Sequence, residues 1–301
     1  MVSVILPTYN HAPYLKLRID SILSQTYQDF ELIILDDCSP DNSRDIIEKY
    51  RGNPHITHIV YNDTNSGSTF KQWKKGFELT KGDYIWIAES DDYAESTLLE
   101  KAMDSITKYN SVLCFSQTQI IDKDNNILMG QLPILPDYSM DINRFTKDYL
   151  LFSNPICNAS MVVFKKEAIA KGLWDEIVNF RYCGDWLLWG SLCEEKNTTV
   201  SEVKEYLNYF RSHAVKVSSK AEDRGLSILE GYKVSRIIAK WLHLKLDKKY
   251  SQNWYYKWQS YKLKFSFSQS INKEILFMFI RHQPMVAYYE LKRLASRLLK
   301  R

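Results

Sequence analysis

The 301-residue chain is short of the residues that mark secreted, fibrous or disordered proteins. Its 5 Cys, at positions 38, 114, 157, 183 and 193, form no Cys-x-x-Cys pair and are odd in number, which excludes a zinc knuckle and a disulfide framework and points to a reducing compartment. With only 10 Gly and 8 Pro, collagen-like and low-complexity classes are excluded, and 45% hydrophobic residues describe a folded chain. No stretch reaches the roughly 18 to 20 apolar residues of a spanning helix; the most hydrophobic part of the tail, Ile275 to Ile280, stops at Arg281 and His282. The start, Met1-Val2-Ser3-Val4-Ile5-Leu6-Pro7, lacks the basic residues and apolar segment of a secretory signal, so a cytoplasmic protein is expected. Neither G-x-G-x-x-G nor G-x-x-x-x-G-K-[ST] occurs, which excludes the dinucleotide fingerprint and the P-loop.

What is present is an alternation of short apolar runs with helical periodicity. Val2 to Leu6, Phe30 to Leu35, Ile59 to Tyr61 and Tyr84 to Ala88 read as buried strands. Helical segments separate them: Leu15, Ile19, Ile22 and Leu23 share one face, Ser39-Pro40-Asp41 opens a second helix, and Phe70 to Leu79 and Thr97 to Tyr109 read as two more. Right-handed crossovers make these strands parallel, the pattern of an α/β sheet flanked by helices. Further runs at Val112 to Ser116, Met161 to Phe164 and Tyr206 to Phe210, with an amphipathic helix over Trp186 to Leu192, extend the sheet into a second lobe. Beyond Ser219 the strand pattern gives way to a helical tail. The net charge of +4 conceals two regions: residues 1–215 carry 21 Lys and Arg against 30 Asp and Glu, net −9, whereas residues 216–301 carry 19 against 6, net +13. Three parts are expected, at 1–110, 111–218 and 219–301.

In an open α/β sheet, ligands bind beyond the carboxyl ends of the strands. Those ends read Pro7-Thr8-Tyr9-Asn10, Asp36-Asp37-Cys38-Ser39, Asn62 to Gly67 and Glu89-Ser90-Asp91-Asp92. Three carboxylates in four residues repel one another unless a cation is present, and hard oxygens suit Mg²⁺ or Mn²⁺ beside a diphosphate. The alternative is that Asp91 or Asp92 caps the next helix. The Asp36-Asp37 pair either accepts hydrogen bonds from a nucleoside or orders its own turn.

Together, Val4-Ile5-Leu6-Pro7-Thr8-Tyr9-Asn10, Leu35 to Asp41, Asn65-Ser66-Gly67 and Trp86-Ile87-Ala88-Glu89-Ser90-Asp91-Asp92 closely resemble the family 2 glycosyltransferases, inverting enzymes of the Rossmann-like GT-A fold with a mostly parallel sheet. The resemblance is strong over residues 1–110 and thinner to about 218. It implies that Pro7, Thr8, Tyr9 and Asp37 hold the nucleoside, and that Asp91, flanked by Asp92 and Glu89, is the metal ligand of the D-x-D element. Glu89 stands where Asp is frequent. Lys71-Gln72-Trp73 departs from the common Ala-Arg-Asn pattern, and Lys71 and Lys74 read as a solvated helix face. Asp185, in Gly184-Asp185-Trp186, is either a helix N-cap or, by resemblance to the family's acidic motif, the general base. Tyr209-Phe210-Arg211-Ser212-His213 resembles the closing Arg-x-His segment, which implies Arg211 on the diphosphate and His213 on the metal or a phosphate.

The resemblance implies a metal-dependent inverting glycosyltransferase that uses Mn²⁺ or Mg²⁺. It moves a sugar from a nucleotide-diphosphate donor, a UDP-sugar being favoured, to a saccharide or lipid-linked saccharide acceptor in bacterial surface-polysaccharide synthesis. The alternatives are a non-catalytic nucleotide-sugar-binding protein and a nucleotidyltransferase; the latter calls for a Gly-rich basic first loop, which Pro7-Thr8-Tyr9-Asn10 is not. The tail, where Trp and Tyr alternate with Lys and Arg, reads as a peripheral contact with the inner face of the cell membrane or as a homo-oligomer contact. No recognition motif makes nucleic acid a partner.

Overall fold

A computed structural model describes residues 1–195, 197–212, 225–265, 267, 269–282 and 284–298. The first half builds as the apolar runs dictate. Strands β1 (Val2–Thr8), β2 (Phe30–Asp36), β3 (Ile56–Tyr61) and β4 (Tyr84–Ile87) are parallel, in the order β3-β2-β1-β4, with Ile5 opposite both Ile33 and Ile87. They are joined by α1 (Ala12–Leu23), α2 (Ser43–Glu48), α3 (Thr69–Leu79) and α4 (Leu98–Tyr109), the last ending on Asn110 in the left-handed conformation. Side chains alternate across the strands, so both faces are apolar. Val4, Leu6, Leu32, Ile34 and Trp86 meet Leu15, Ile19, Leu99 and Ile106 on one face, and Ile5, Ile33, Leu35, Ile85 and Ile87 meet Phe70 and Trp73 on the other.

The second half continues the same sheet through β5 (Tyr93–Ala94), β6 (Ser111–Ile121), β7 (Ile127–Gly130), β8 (Ser139–Asp141), β9 (Val162–Lys165) and β10 (Thr199–Arg211). The ten-stranded sheet runs β3-β2-β1-β4-β9-β6-β10-β5, with β7 on β6 and β8 on β10. The expectation of a mostly parallel sheet holds for β1 to β4 and for the β6–β10 pair; in the second half β9 is antiparallel to both β4 and β6, and β5, β7 and β8 add antiparallel edges on β10 and β6. The chain reaches β9 from the carboxyl edge, through a single helical turn at Ala159–Met161, so it enters the sheet pointing backwards. β6 and β10 are longer than their apolar runs because polar residues such as Gln117, Thr118 and Asn208 still pair between them. The helices here are α5 (Ile142–Phe145), α6 (Leu173–Ile177) and α7 (Gly184–Ser191). Helix α7 is not amphipathic as expected: every residue but Asp185 is buried.

The tail forms α8 (Leu226–Trp241), α9 (Lys248–Phe265), α10 (Gln269–His282) and α11 (Pro284–Leu298). Many of its aromatics face inward: Tyr232, Trp254, Trp258 and Phe279 are fully buried, with the Tyr232 ring set edge-on to Trp254 at 5.4 Å and to Phe279 at 5.0 Å. Two glycines let the tail close onto the second lobe. A Cβ on Gly190 would lie 2.5 Å from Ile238, and one on Gly231 would lie 2.7 Å from Trp186, so only a hydrogen fits at either position. Among the described residues no helix is long and apolar enough to cross a membrane.

Because Trp254 also packs against Phe152 of the second lobe and donates from Nε1 to Ser235 Oγ at 3.2 Å, the tail shares the main core. Trp254→Ala is expected to cost about 3–5 kcal/mol, read as a fall in the denaturant midpoint of the whole chain. A change confined to a separate early transition would show instead that the tail folds as an independent module.

Candidate functional site

The four polar strand ends meet at one edge of the sheet. Asn10 and Cys38 both adopt left-handed backbone (φ 57 and 61), an uncommon conformation for residues other than glycine and a frequent mark of a functional loop. The loops brace each other: Asn10 N donates to Ser39 Oγ (3.0 Å), Ala12 N to Asp41 Oδ2 (2.9 Å) and Asp37 N to the Thr8 carbonyl (2.9 Å). Asp37 is the hub. Its Oδ1 accepts from Asn62 Nδ2 (2.6 Å), Ser66 N (2.9 Å) and Gln72 Nε2 (2.8 Å), and its Oδ2 from Ser66 Oγ (2.7 Å). Asp36 orders its own turn instead, accepting from Arg44 Nε (3.0 Å) and Ser39 N (3.3 Å). Of the residues expected on the nucleoside, Pro7 and Thr8 are buried beneath the loop and shape it from within, while Tyr9, 45% exposed, presents its ring to solvent.

The acidic loop after β4 sends its three carboxylates in different directions. Among the described residues no group of three or more His, Cys, Asp or Glu side chains gathers for a metal. The carboxylates diverge, which lowers their mutual repulsion. Glu89 leans onto α3, accepting from Trp73 Nε1 (2.8 Å) and Thr69 Oγ1 (3.3 Å); burial and the charge of Asp91 push it up to about 8. Asp92, 1% exposed, turns inward and accepts from Asn158 Nδ2 (2.9 Å), Ser160 Oγ (2.7 Å) and Arg211 N (2.9 Å). Burial and Asp91 push Asp92 up to about 7, and its hydrogen bonds tie the loop to the segment before β9 and to the end of β10. Asp91 remains half-buried between them.

Two arginines are spent on this framework. Arg211, expected on a diphosphate, is 1% exposed. Its Nε donates to the Asp91 carbonyl (2.7 Å), Nη1 to the Asp122 carbonyl (2.7 Å) and Nη2 to Asn125 Oδ1 (2.6 Å), with Tyr14 stacked 4.3 Å from the guanidinium. It therefore ties the β6–β7 turn to the acidic loop, with three of its five N–H donors spent on the protein itself. Arg18 on α1 carries no signal of its role in the sequence, because it sits in an apolar helical pattern. It is fully buried, 4.9 Å from the centre of the Trp86 ring; burial lowers it to about 10 against the opposing pull of Asp92, Glu89 and Asp91. His213 lies outside the described residues. Lys71 donates to the Ser66 carbonyl (3.1 Å) and Lys74 to Asp175 (2.6 Å), which agrees with a solvated helix face.

Asp185 stands in the first turn of α7. Asn154 Nδ2 donates to its Oδ2 at 2.9 Å, and burial pushes it up to about 7. Gly184 brings this turn against α3: a Cβ there would lie 2.8 Å from the Phe70 ring. Since α3 also supplies Gln72 to Asp37 and Trp73 to Glu89, one helix abuts all three acidic positions. The segment before β9 adds a second link, with Asn154 on Asp185 and Asn158 and Ser160 on Asp92. Asn154 and Asn158 lie in a stretch with no periodic signal, which hid them in the sequence, and Gln72 lies in a helix whose pattern does not say which polar side chain turns inward.

Residues 3–173 match the sequence profile of Glycosyl transferase family 2. The "Putative teichuronic acid biosynthesis glycosyltransferase TuaG" of Bacillus subtilis is 33% identical over 128 residues, covering 42% of this chain and 50% of that protein. The "Poly(ribitol-phosphate) beta-N-acetylglucosaminyltransferase TarS" of Staphylococcus aureus is 32% identical over 111 residues, 36% of this chain and 19% of that one. The chain spans about half the length of the first curated relatives it matches. In fold it is similar to the crystal structure of S. aureus TarS 1–349 in complex with UDP-GlcNAc, with a TM-score of 0.63 at 20% identity, over 89% of this chain and 74% of that one.

The raised carboxylates give a signed stability prediction. Glu89, Asp92 and Asp185 hold protons more tightly folded than unfolded, so the stability they contribute at low pH is lost as pH rises from the ordinary carboxylate range to about 8. Without divalent cations, the unfolding free energy is expected to fall between pH 5 and pH 8 more steeply in the parent than in Glu89→Gln. Equal slopes would overturn the environment assigned to Glu89.

Proposed function

The chain belongs to glycosyl transferase family 2, and from that premise we propose that it transfers one sugar, with inversion, from a UDP-sugar to a hydroxyl of a glycan or lipid-linked glycan in surface-polysaccharide synthesis. The observation that carries this reading is the convergence of Asp185 with Asp37 and the acidic loop through α3 and the 154–160 segment. The named roles of the TuaG and TarS relatives in teichuronic acid synthesis and on poly(ribitol phosphate) support the acceptor class. The UDP-GlcNAc complex of TarS supports UDP-GlcNAc as the first donor to test.

In this mechanism Tyr9 stacks on the base and Asp37, held rigid by Asn62, Ser66 and Gln72, accepts a hydrogen bond from the nucleoside through Oδ2. Asp185 takes the proton of the acceptor hydroxyl as that oxygen attacks the anomeric carbon. The bond from that carbon to the diphosphate breaks on the opposite face, and UDP departs with the electron pair. An acidity near 7 suits a base at neutral pH, because it is deprotonated enough to act and basic enough to pull. The half-buried Asp91 carboxylate fits a hard divalent cation with few protein ligands, and Mn²⁺ or Mg²⁺ bound there supplies positive charge to the departing diphosphate.

The tail supports contact with the inner face of the membrane. Its sequence carries net +13, and Tyr256, Leu263, Phe277, Ile280, Tyr288 and Leu291 remain exposed after the inward aromatics are packed. Co-sedimentation with phosphatidylglycerol vesicles but not with phosphatidylcholine vesicles is the expected outcome. Absence of sedimentation with a concentration-dependent dimer would assign the surface to a second copy.

Calorimetric titration with UDP in Mn²⁺ and in EDTA tests the donor site: metal-dependent binding is expected and is lost in Asp91→Ala. Asp185→Asn is expected to keep UDP binding and to lose turnover by about 10²-fold or more, and the parent's rate is expected to fall as pH drops below about 7. Full turnover by Asp185→Asn would sink the base assignment.

A further inference from the structure

We propose that the basic tail is part of the catalytic apparatus, with Glu230 of α8 as a positioning residue that fixes the backbone carrying Asp185; this rests on the reading of Asp185 as the base. The Glu230 carboxylate, 8% exposed, accepts three consecutive backbone N–H groups: Arg181 N to Oε1 (2.9 Å), and Tyr182 N (2.7 Å) and Cys183 N (2.9 Å) to Oε2. These amides run directly into α7, whose N-cap residue Cys183 contributes no side-chain cap. Of the three amides only that of Cys183 belongs to the helix start, the other two lying just before it. The acceptor comes from 47 residues further along the chain, and Asp185 lies two residues beyond the last amide it holds.

A second tail residue secures the other side of Asp185. Lys257 of α9 reaches down between Trp186 and Trp254, 5.4 and 5.0 Å from their ring centres, and donates from Nζ to the Phe152 carbonyl at 2.6 Å. Two residues on, Asn154 donates to Asp185. Both the segment that bears the carboxylate and the segment that hydrogen-bonds it are thus tied to the tail, the first by the buried Glu230 and the second by the half-buried Lys257. The groups that set the charge around Asp185 are Glu230 on α8, Cys183 at the start of α7, and Lys257 on α9, which lies against Cys183 and Trp186; Glu230 disfavours the ionised form of Asp185.

The test uses the full chain and Glu230→Gln, which keeps the volume and one acceptor but removes the charge, with Glu230→Ala as the deeper truncation. Hydrogen exchange at the amides of Arg181, Tyr182 and Cys183 is expected to accelerate by on the order of tenfold or more in Glu230→Gln. The ¹³C carboxyl titration of Asp185, assigned by its loss in Asp185→Asn, is expected to move to lower pH than in the parent. A merely structural role for Glu230 would not move that midpoint. Unchanged exchange at these amides, or an unchanged midpoint, overturns the proposal. Neither readout needs turnover, so the base assignment can fail, through an active Asp185→Asn, while these two measurements still decide the role of Glu230.

Discussion

Asp92 gives up solvent to accept hydrogen bonds from the segment before β9, through Asn158 and Ser160, and from the backbone of Arg211 at the end of β10. One buried carboxylate thereby links the acidic loop to β9 and β10, which come from the second half of the chain. Burying a charge is costly unless it is paired and hydrogen-bonded. Arg18, buried on the opposite side against Trp86, supplies the nearby positive charge. If this arrangement is loosened, the loop that presents Asp91 loses its anchor to β9 and β10.

Charge at this edge is allocated rather than pooled. Three adjacent acids become three different groups: Glu89 held against α3, Asp92 locked inside, and Asp91 at the mouth of the site. Of the two arginines beside them, Arg211 is committed to structure by its hydrogen bonds, and Arg18 is buried against Trp86. Three of the five guanidinium N–H donors of Arg211 are taken by the protein itself, so this side chain holds the acidic loop against the β6–β7 turn.

The tail has a double character for the same reason that its composition is unusual. A helix bundle docked on a large core needs bulky apolar side chains inward, and Tyr232, Trp254, Trp258 and Phe279 provide them. The Lys and Arg residues among them mostly follow the outward face, though Lys257 is drawn inside to bind the Phe152 carbonyl. Interleaved aromatic and basic residues describe a membrane-seeking helix and a docked amphipathic one equally well, because composition does not say which face is covered.

Sequence pattern alone carried the first four strands, their helices and the identity of the loops at the sheet edge, because parallel strands buried on both faces must be continuously apolar and their carboxyl ends must be where polar, turn-forming residues collect. It also carried Asp37, Asp91 and Asp185 as the acids of interest. The reversal of β9, the inward turn of Asp92, the hydrogen bonds of Arg211 and the ties made by Glu230 and Lys257 were settled only by tertiary structure. Each depends on partners from about 50 to 120 residues away along the chain. A carboxylate or guanidinium looks the same in sequence whether solvent, a ligand or the protein's own backbone occupies its hydrogen-bonding edge, and only the packed fold decides which of the three it meets.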